Sequence, residues 1–305
     1  MNHVFDQIVL FGDSITQCAR ANDSQSADYL ADCFSQFGFD PNGGWGAALA
    51  NDYQRRVDVM NRGYSGYNTD WALPILQQLL PLAASRSPAT ILLLVIFFGA
   101  NDAALPPSPQ HVPLARYRSN LRALLALTSD PASPYYSPET RLLLITPPPL
   151  NEQAWAEKCR LEGKETDRKR EVTEGYARVV REVGAEVGVP VVDAWAEILR
   201  EAGERVETER KTTVMEKNSG LDVEIFKNRK CKVENERGLS EFLNDGLHLT
   251  PEGNRVLHKA VLAQIRVHYP ELDPATMPMA LPWWREIDYT NYKHSLQFSP
   301  LKRGK

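Results

Sequence analysis

The sequence predicts an α/β protein with a central parallel sheet. Three observations carry this. Short apolar runs recur along the chain, each closed by Gly, Pro or polar residues. Segments of helical period lie between them. The strongest run, Ile91 to Phe98, is apolar without alternation, as a parallel strand covered on both faces must be. Strands alternating with helices imply parallel pairing and right-handed crossovers.

In chain order, Gln7 to Phe11 reads as a buried strand closed by Gly12. Trp45 to Arg56 reads as a helix with Trp45, Leu49 and Tyr53 on one face. Val57 to Met60 is a second strand. Thr69 is expected to cap a helix containing Trp71, Ile75 and Leu79, with Pro74 near enough to its first turn to be tolerated. After the strand from Ile91, a Pro-rich loop leads to a helix over about 114–128. Arg141 to Thr146 is a fourth strand, stopped by Pro147, Pro148 and Pro149. Glu152 to Gly188 reads as helical, at least in its second half. Pro190 to Asp193 is a short fifth strand, followed by helices over 194–202 and 251–269.

The chain has 305 residues, enough for one α/β domain and too few to require two. The expected division is a domain over 1–270 and a C-terminal extension over 271–305. The segment 204–240, dense in Lys, Arg and Glu, reads as a solvated insertion. The extension carries Trp283 and Trp284 with little regular pattern. It is expected either to wrap its own domain or to form a homodimer contact.

A formal net charge of −4 gives no reason to expect a nucleic acid or an anionic membrane as partner. No apolar run is long enough for stable membrane insertion. The first residues lack a cationic and apolar leader pattern, so a cytoplasmic location is expected. Cys18, Cys33, Cys159 and Cys231 show no CxxC spacing and read as isolated thiols. The Asn22-Asp23-Ser24 sequon carries no meaning without a secretory route.

Four blocks carry chemistry. The first is Phe11-Gly12-Asp13-Ser14-Ile15-Thr16, directly after the first strand, where parallel sheets place their ligands. It also reads as an ordinary turn. The second is Asn61 to Thr69, whose glycines Gly63 and Gly66 suit a backbone turned to present its N–H groups, or a plain connection. The third is Phe98-Gly99-Ala100-Asn101-Asp102, where Asn101 offers a neutral amide donor or simply caps a turn. The fourth is Asn244 to Pro251, just ahead of the last helix, which is expected to start with Thr250 as cap and Pro251 at its first position. Asp245 and His248 are spaced so that the carboxylate can meet one imidazole nitrogen while the other faces a serine. Together the blocks supply a nucleophile, a base, an orienting acid and oxyanion donors, the set that acyl transfer needs.

In this order the blocks resemble those of the SGNH (GDSL-type) hydrolases. Within that superfamily the chain is similar to the isoamyl acetate-hydrolysing esterases. Trp45-Gly46-Ala47-Ala48-Leu49, Trp71-Ala72-Leu73 and Pro282-Trp283-Trp284-Arg285 add to the likeness. The resemblance implies a three-layer α/β/α sandwich, flavodoxin-like, with about five parallel strands. It implies Ser14, Asp245 and His248 as the catalytic triad. It further implies an oxyanion hole of the Ser14 and Gly66 backbone N–H groups and the Asn101 side chain, with Asp13 and Asp102 as supporting residues. The chain departs from the family in Ile15 after Gly-Asp-Ser, and in Pro251 standing two residues beyond the position after His248.

The implied activity is a serine carboxylesterase acting on small acetate-type esters, in ester or lipid metabolism. The alternatives are a lysophospholipase, thioesterase or carbohydrate deacetylase on the same triad, or an inactive binding protein. No G-x-S-x-G elbow, P-loop, dinucleotide fingerprint or H-E-x-x-H motif occurs, so no metal or nucleotide cofactor is expected.

Overall fold

The structure is a computed structural model that describes residues 5–17, 43–85, 89–203 and 236–297. Cys18, Cys33 and Cys231, the Asn22 sequon and nearly all of the 204–240 insertion lie outside the described residues.

Among the described residues five strands form one sheet: β1 (Gln7–Gly12), β2 (Asp58–Gly63), β3 (Ile91–Phe97), β4 (Arg141–Ile145) and β5 (Val191–Val192). Their order is β2-β1-β3-β4-β5, and every neighbouring pair is parallel. Residue parity divides the side chains between two cores. Ile8, Leu10, Leu93, Val95, Leu143 and Ile145 face one side. Val9, Phe11, Leu94, Ile96, Leu142 and Leu144 face the other. Both faces are covered, which is why these runs read as uniformly apolar. Each such buried side chain contributes about 1.5–3 kcal/mol relative to exposure.

The first face is covered by α1 (Trp45–Asp52), a helix over 194–203 and the long helix at 251–268. The second is covered by α2 (Thr69–Leu79), α3 (Leu114–Ser129) and α5 (Arg170–Val187). This is a three-layer α/β/α sandwich. Between β4 and α5 lies α4 (Glu152–Leu161), so the charged stretch after Pro149 is two helices joined by a loop. We number the helix at 194–203 α6, Glu236–Leu239 α7 and Pro251–His268 α8. Among the described residues no helix is long and apolar enough to cross a membrane.

Three local expectations need correction. Asn68, not Thr69, caps α2, its side chain accepting from the Trp71 N–H at 3.1 Å. Thr69 is already helical, and its N–H and hydroxyl both donate to Asp102 Oδ1. Pro74 lies inside α2 at its sixth residue, beyond the first turn. The helix continues through it, anchored by the burial of Thr69, Ala72 and Leu76. β2 also runs on to Gly63, because its pairing with β1 extends to Gly12 opposite Gly63.

The residues after Pro270 begin as part of the core. Leu272 and Met277 pack into the first face, and the Tyr53 hydroxyl donates to the Leu272 carbonyl at 2.5 Å. Arg56 Nε holds the Met277 carbonyl at 2.9 Å, and the Ala280 N–H donates to Arg55 O at 2.8 Å. Beyond Pro282 the tail turns outward, with Trp283, Trp284, Tyr289 and Tyr292 exposed.

Candidate active site

Strand order brings three of the four blocks together. Because β1 lies between β2 and β3, the segments leaving their carboxyl ends are neighbours. The ladders continue past the strands: the Tyr64 N–H donates to Gly12 O at 2.8 Å, and the Asp13 N–H to Phe97 O at 3.3 Å. Gly12 is required here, since a Cβ would lie 2.6 Å from the Phe97 carbonyl and 2.2 Å from Thr16 Oγ1.

Ser14 sits in the turn after β1, closed by Thr16 and Gln17 N–H groups on the Asp13 carbonyl, each at 3.1 Å. Trp45 Nε1 donates to Ile15 O at 3.0 Å and ties this turn to α1. Asp245 and His248 come from the opposite end of the chain, just before α8. Thr250 caps that helix, accepting from the Gly253 N–H at 3.1 Å. The preceding loop is closed by the Asn244 N–H on His248 O at 2.8 Å, and by the Asn151 N–H on Gly246 O at 2.9 Å.

The three side chains form one hydrogen-bonded line. Ser14 Oγ lies 2.9 Å from His248 Nε2, and His248 Nδ1 lies 2.8 Å from Asp245 Oδ2. A carboxylate only accepts, so Nδ1 carries the proton and Nε2 accepts from the serine hydroxyl. Asp245 Oδ1 takes the backbone N–H groups of Leu247 at 3.0 Å and His248 at 2.9 Å. Lys158 of α4 donates to Asp245 Oδ2 at 2.6 Å. Burial alone would raise the Asp245 carboxyl, but His248 and Lys158 outweigh it and hold the group well below the usual carboxylate range.

Gly66 has φ +80°, so its turn favours glycine. Among the described residues, neither the Ser14 nor the Gly66 N–H donates to a protein group. Asn101 Nδ2 donates one hydrogen to Tyr67 O at 2.9 Å and has a second available. Donors left free at the ends of adjacent strands can receive a developing oxyanion.

Asp13 and Asp102 are buried behind these loops. Asp13 Oδ1 accepts from the Ile15 N–H at 3.0 Å, and Asp102 Oδ1 holds the start of α2 through Thr69. Burial pushes Asp13 up to about 7, opposed by the Ile15 N–H and Arg168 and assisted by Asp102. Burial likewise pushes Asp102 up to about 7, against its hydrogen bonds from Thr69.

Sequence reasoning overlooked Lys158, Gln110 and Arg168. Arg168 belongs to the loop between α4 and α5, where most residues are exposed, yet it is itself only 4% exposed. It reaches Asn101 and Gln110 (below). None of the three stands in a motif that would mark it out from neighbouring charged or polar residues.

The model of the GDSL-like lipase/acylhydrolase family matches residues 10–256. The isoamyl acetate-hydrolyzing esterase 1 homolog of Bos taurus is 35% identical over 287 residues, covering 93% of this chain and 89% of that protein. The isoamyl acetate-hydrolyzing esterase of Saccharomyces cerevisiae is 27% identical over 283 residues, covering 93% of this chain and 95% of that one. The solved lipase/acylhydrolase from Enterococcus faecalis is 23% identical, with a TM-score of 0.48, over 86% of this chain and 96% of that chain. A family model matching most of the sequence, and a relative this similar over nearly its whole length, make the chain a member of the GDSL-like lipase/acylhydrolase family.

Proposed function

We propose that this ester-bond hydrolase cleaves small, acetate-type carboxylic esters through an acyl-serine intermediate. Ser14 is the nucleophile, His248 the general base and Asp245 the residue that orients and balances the imidazole. The observation carrying this reading is the unbroken line Ser14 Oγ–His248 Nε2 and His248 Nδ1–Asp245 Oδ2, at 2.9 and 2.8 Å.

Chemistry follows from that line. As Ser14 Oγ attacks the ester carbonyl, its proton passes to His248 Nε2, and the imidazolium is stabilised by the ionised Asp245. The carbonyl oxygen becomes an oxyanion, received by the Ser14 and Gly66 N–H groups and by Asn101 Nδ2. The tetrahedral intermediate collapses when His248 gives its proton to the leaving alcohol. Water then repeats the cycle on the acyl-serine and releases the acid. Asp13 and Asp102 hold the loops that carry the donors.

The preference for small esters draws on the names of relatives, an isoamyl acetate-hydrolyzing esterase and a homolog of one. It is tested on a p-nitrophenyl ester series from acetate to long acyl chains. The account expects kcat/KM to fall as the chain lengthens. A rise toward long chains would keep the mechanism and replace the substrate class with lipid esters.

A further inference from the structure

Arg168 is a buried cation on which the carboxyls of Asp167, Asp13 and Asp245 act only across space. It forms no ion pair with a described carboxylate, and its Nε and Nη1 have no hydrogen-bond partner. Its guanidinium lies 5.0 Å from the centre of the Trp155 ring. Among the described residues its side-chain hydrogen bonds come from Nη2, which donates to Gln110 Oε1 at 3.0 Å and to Asn101 Oδ1 at 3.2 Å. A buried charge left this way is costly and needs a reason.

Both acceptors lead to the oxyanion donors named above. Because Arg168 can only donate, it fixes the Asn101 amide with Oδ1 toward the arginine and Nδ2 toward Tyr67 O and the site. Gln110 Nε2 in turn donates to the Gly66 carbonyl at 2.8 Å, and Asn68 Nδ2 donates to the Gln110 carbonyl at 3.0 Å. One guanidinium nitrogen therefore holds the Asn101 side chain directly and the Gly66 turn through Gln110.

We propose that Arg168 is the positioning residue of the oxyanion hole, resting on the Ser14 mechanism proposed above. It aims the Asn101 amide, braces the Gly66 turn, and sets a permanent positive charge behind both. A hydrogen bond from a guanidinium to Oδ1 polarises the amide and makes its Nδ2–H a stronger donor. The oxyanion adds a negative charge at the donors that the arginine backs, and it exists only while the acyl carbon is tetrahedral. Such an interaction favours the transition state over the ground state, so it raises kcat without tightening substrate binding. Its remaining nitrogens are buried, so it acts through Asn101 and Gln110 and not by contact with the substrate.

The test is a double-mutant cycle with Arg168→Met and Asn101→Ala, measured on p-nitrophenyl acetate. Arg168→Met is expected to lower kcat about 10- to 100-fold with KM within about twofold. In the Asn101→Ala background, the same change is expected to cost less than about threefold, because the amide it acts through is gone. Arg168→Lys keeps a charge but lacks the planar guanidinium that fixes Nη2 between the two amides, and should recover only part of the loss. Gln110→Met, which cuts only the Gly66 arm, supplies the measurement if Arg168→Met fails to fold. Its expected loss is about 3- to 30-fold in kcat at unchanged KM.

The proposal is overturned if Arg168→Met retains kcat within twofold. It is equally overturned if its cost is as large without Asn101 as with it, the result for a purely structural arginine. The Ser14→Ala enzyme separates the two readings. If Ser14→Ala is inactive while Arg168→Met is normal, only the arginine's role is lost. If Ser14→Ala is as active as wild type, the serine mechanism and the oxyanion role fall together.

Discussion

Lys158 and His248 bind the same oxygen of Asp245, the ammonium at 2.6 Å and the imidazole Nδ1 at 2.8 Å. The carboxylate thus divides its charge between a fixed cation and the ring that must become one during turnover. Lys158, itself partly buried, also lies 4.7 Å from the centre of the buried Trp155 ring.

Removing Lys158 takes one of the two donors from Asp245 Oδ2 and loosens the carboxylate that orients His248. Lys158→Met is expected to lower kcat/KM on p-nitrophenyl acetate about 3- to 30-fold, with urea denaturation showing an intact fold. A variant with kcat/KM within twofold of wild type would show that the ammonium does nothing for the alignment of Asp245.

Gly246 allows the Asp245–His248 loop to lie against α4. Its φ is +93°, and a Cβ there would stand 2.4 Å from Asn151 O and 2.6 Å from Trp155 N. Both contacts are backbone and cannot yield by a rotamer change. Gly246→Ala is expected to destabilise the fold by about 2–4 kcal/mol in urea denaturation and to lower kcat by displacing His248 from Ser14. Wild-type stability and kcat in this variant would contradict the packing described.

Asp13 and Asp102 make stability depend on pH with an unusual sign. Both carboxyls are raised from 3.8 to about 7 by burial. Between those values the unfolded chain has released the protons and the native chain keeps them. Stability from these groups is therefore full below about 4 and lost as pH rises through about 7, by at most about 1.4 kcal/mol per pH unit for each carboxyl. Asp102→Asn keeps an acceptor for Thr69 and removes one titration. Its stability relative to wild type should rise by a few kcal/mol between pH 4 and pH 7.5, read by urea denaturation at each pH. A difference that is flat with pH would contradict the buried neutral carboxyl.

Much of the fold was legible because it rests on continuous apolar runs. Strands β1, β3 and β4 are buried on both faces, and no polar residue interrupts the pattern that marks them. Helix ends were less legible where side chains serve the site. Thr69 looks like a cap by residue type, but Asp102 claims its hydroxyl and Asn68 takes the capping role. Pro74 misleads for another reason: buried packing carries α2 past a residue that local propensity would place nearer its start.

The site divides in the same way. Ser14, Gly66, Asn101, Asp245 and His248 stand in short segments tied to strand ends and to a helix start, and the order of those segments, through its resemblance to the SGNH hydrolases, points to them. Lys158 and Arg168 act across space from α4 and the loop after it. Arg168 lies in the run Lys164 to Arg170, where charged residues are common and only the fold turns one of them inward. Its partner Gln110 lies 58 positions away, a separation that no local pattern reports.

The central claim is that Ser14 carries the acyl group. The direct measurement is hydrolysis of p-nitrophenyl acetate by wild type and Ser14→Ala, with acid-quenched enzyme analysed by peptide mass spectrometry. The account predicts an acetyl group on the Ser14 peptide of the wild type, and a loss of at least about 10³-fold in kcat for Ser14→Ala. Undiminished turnover by Ser14→Ala, or acetyl found only on another residue, would contradict it.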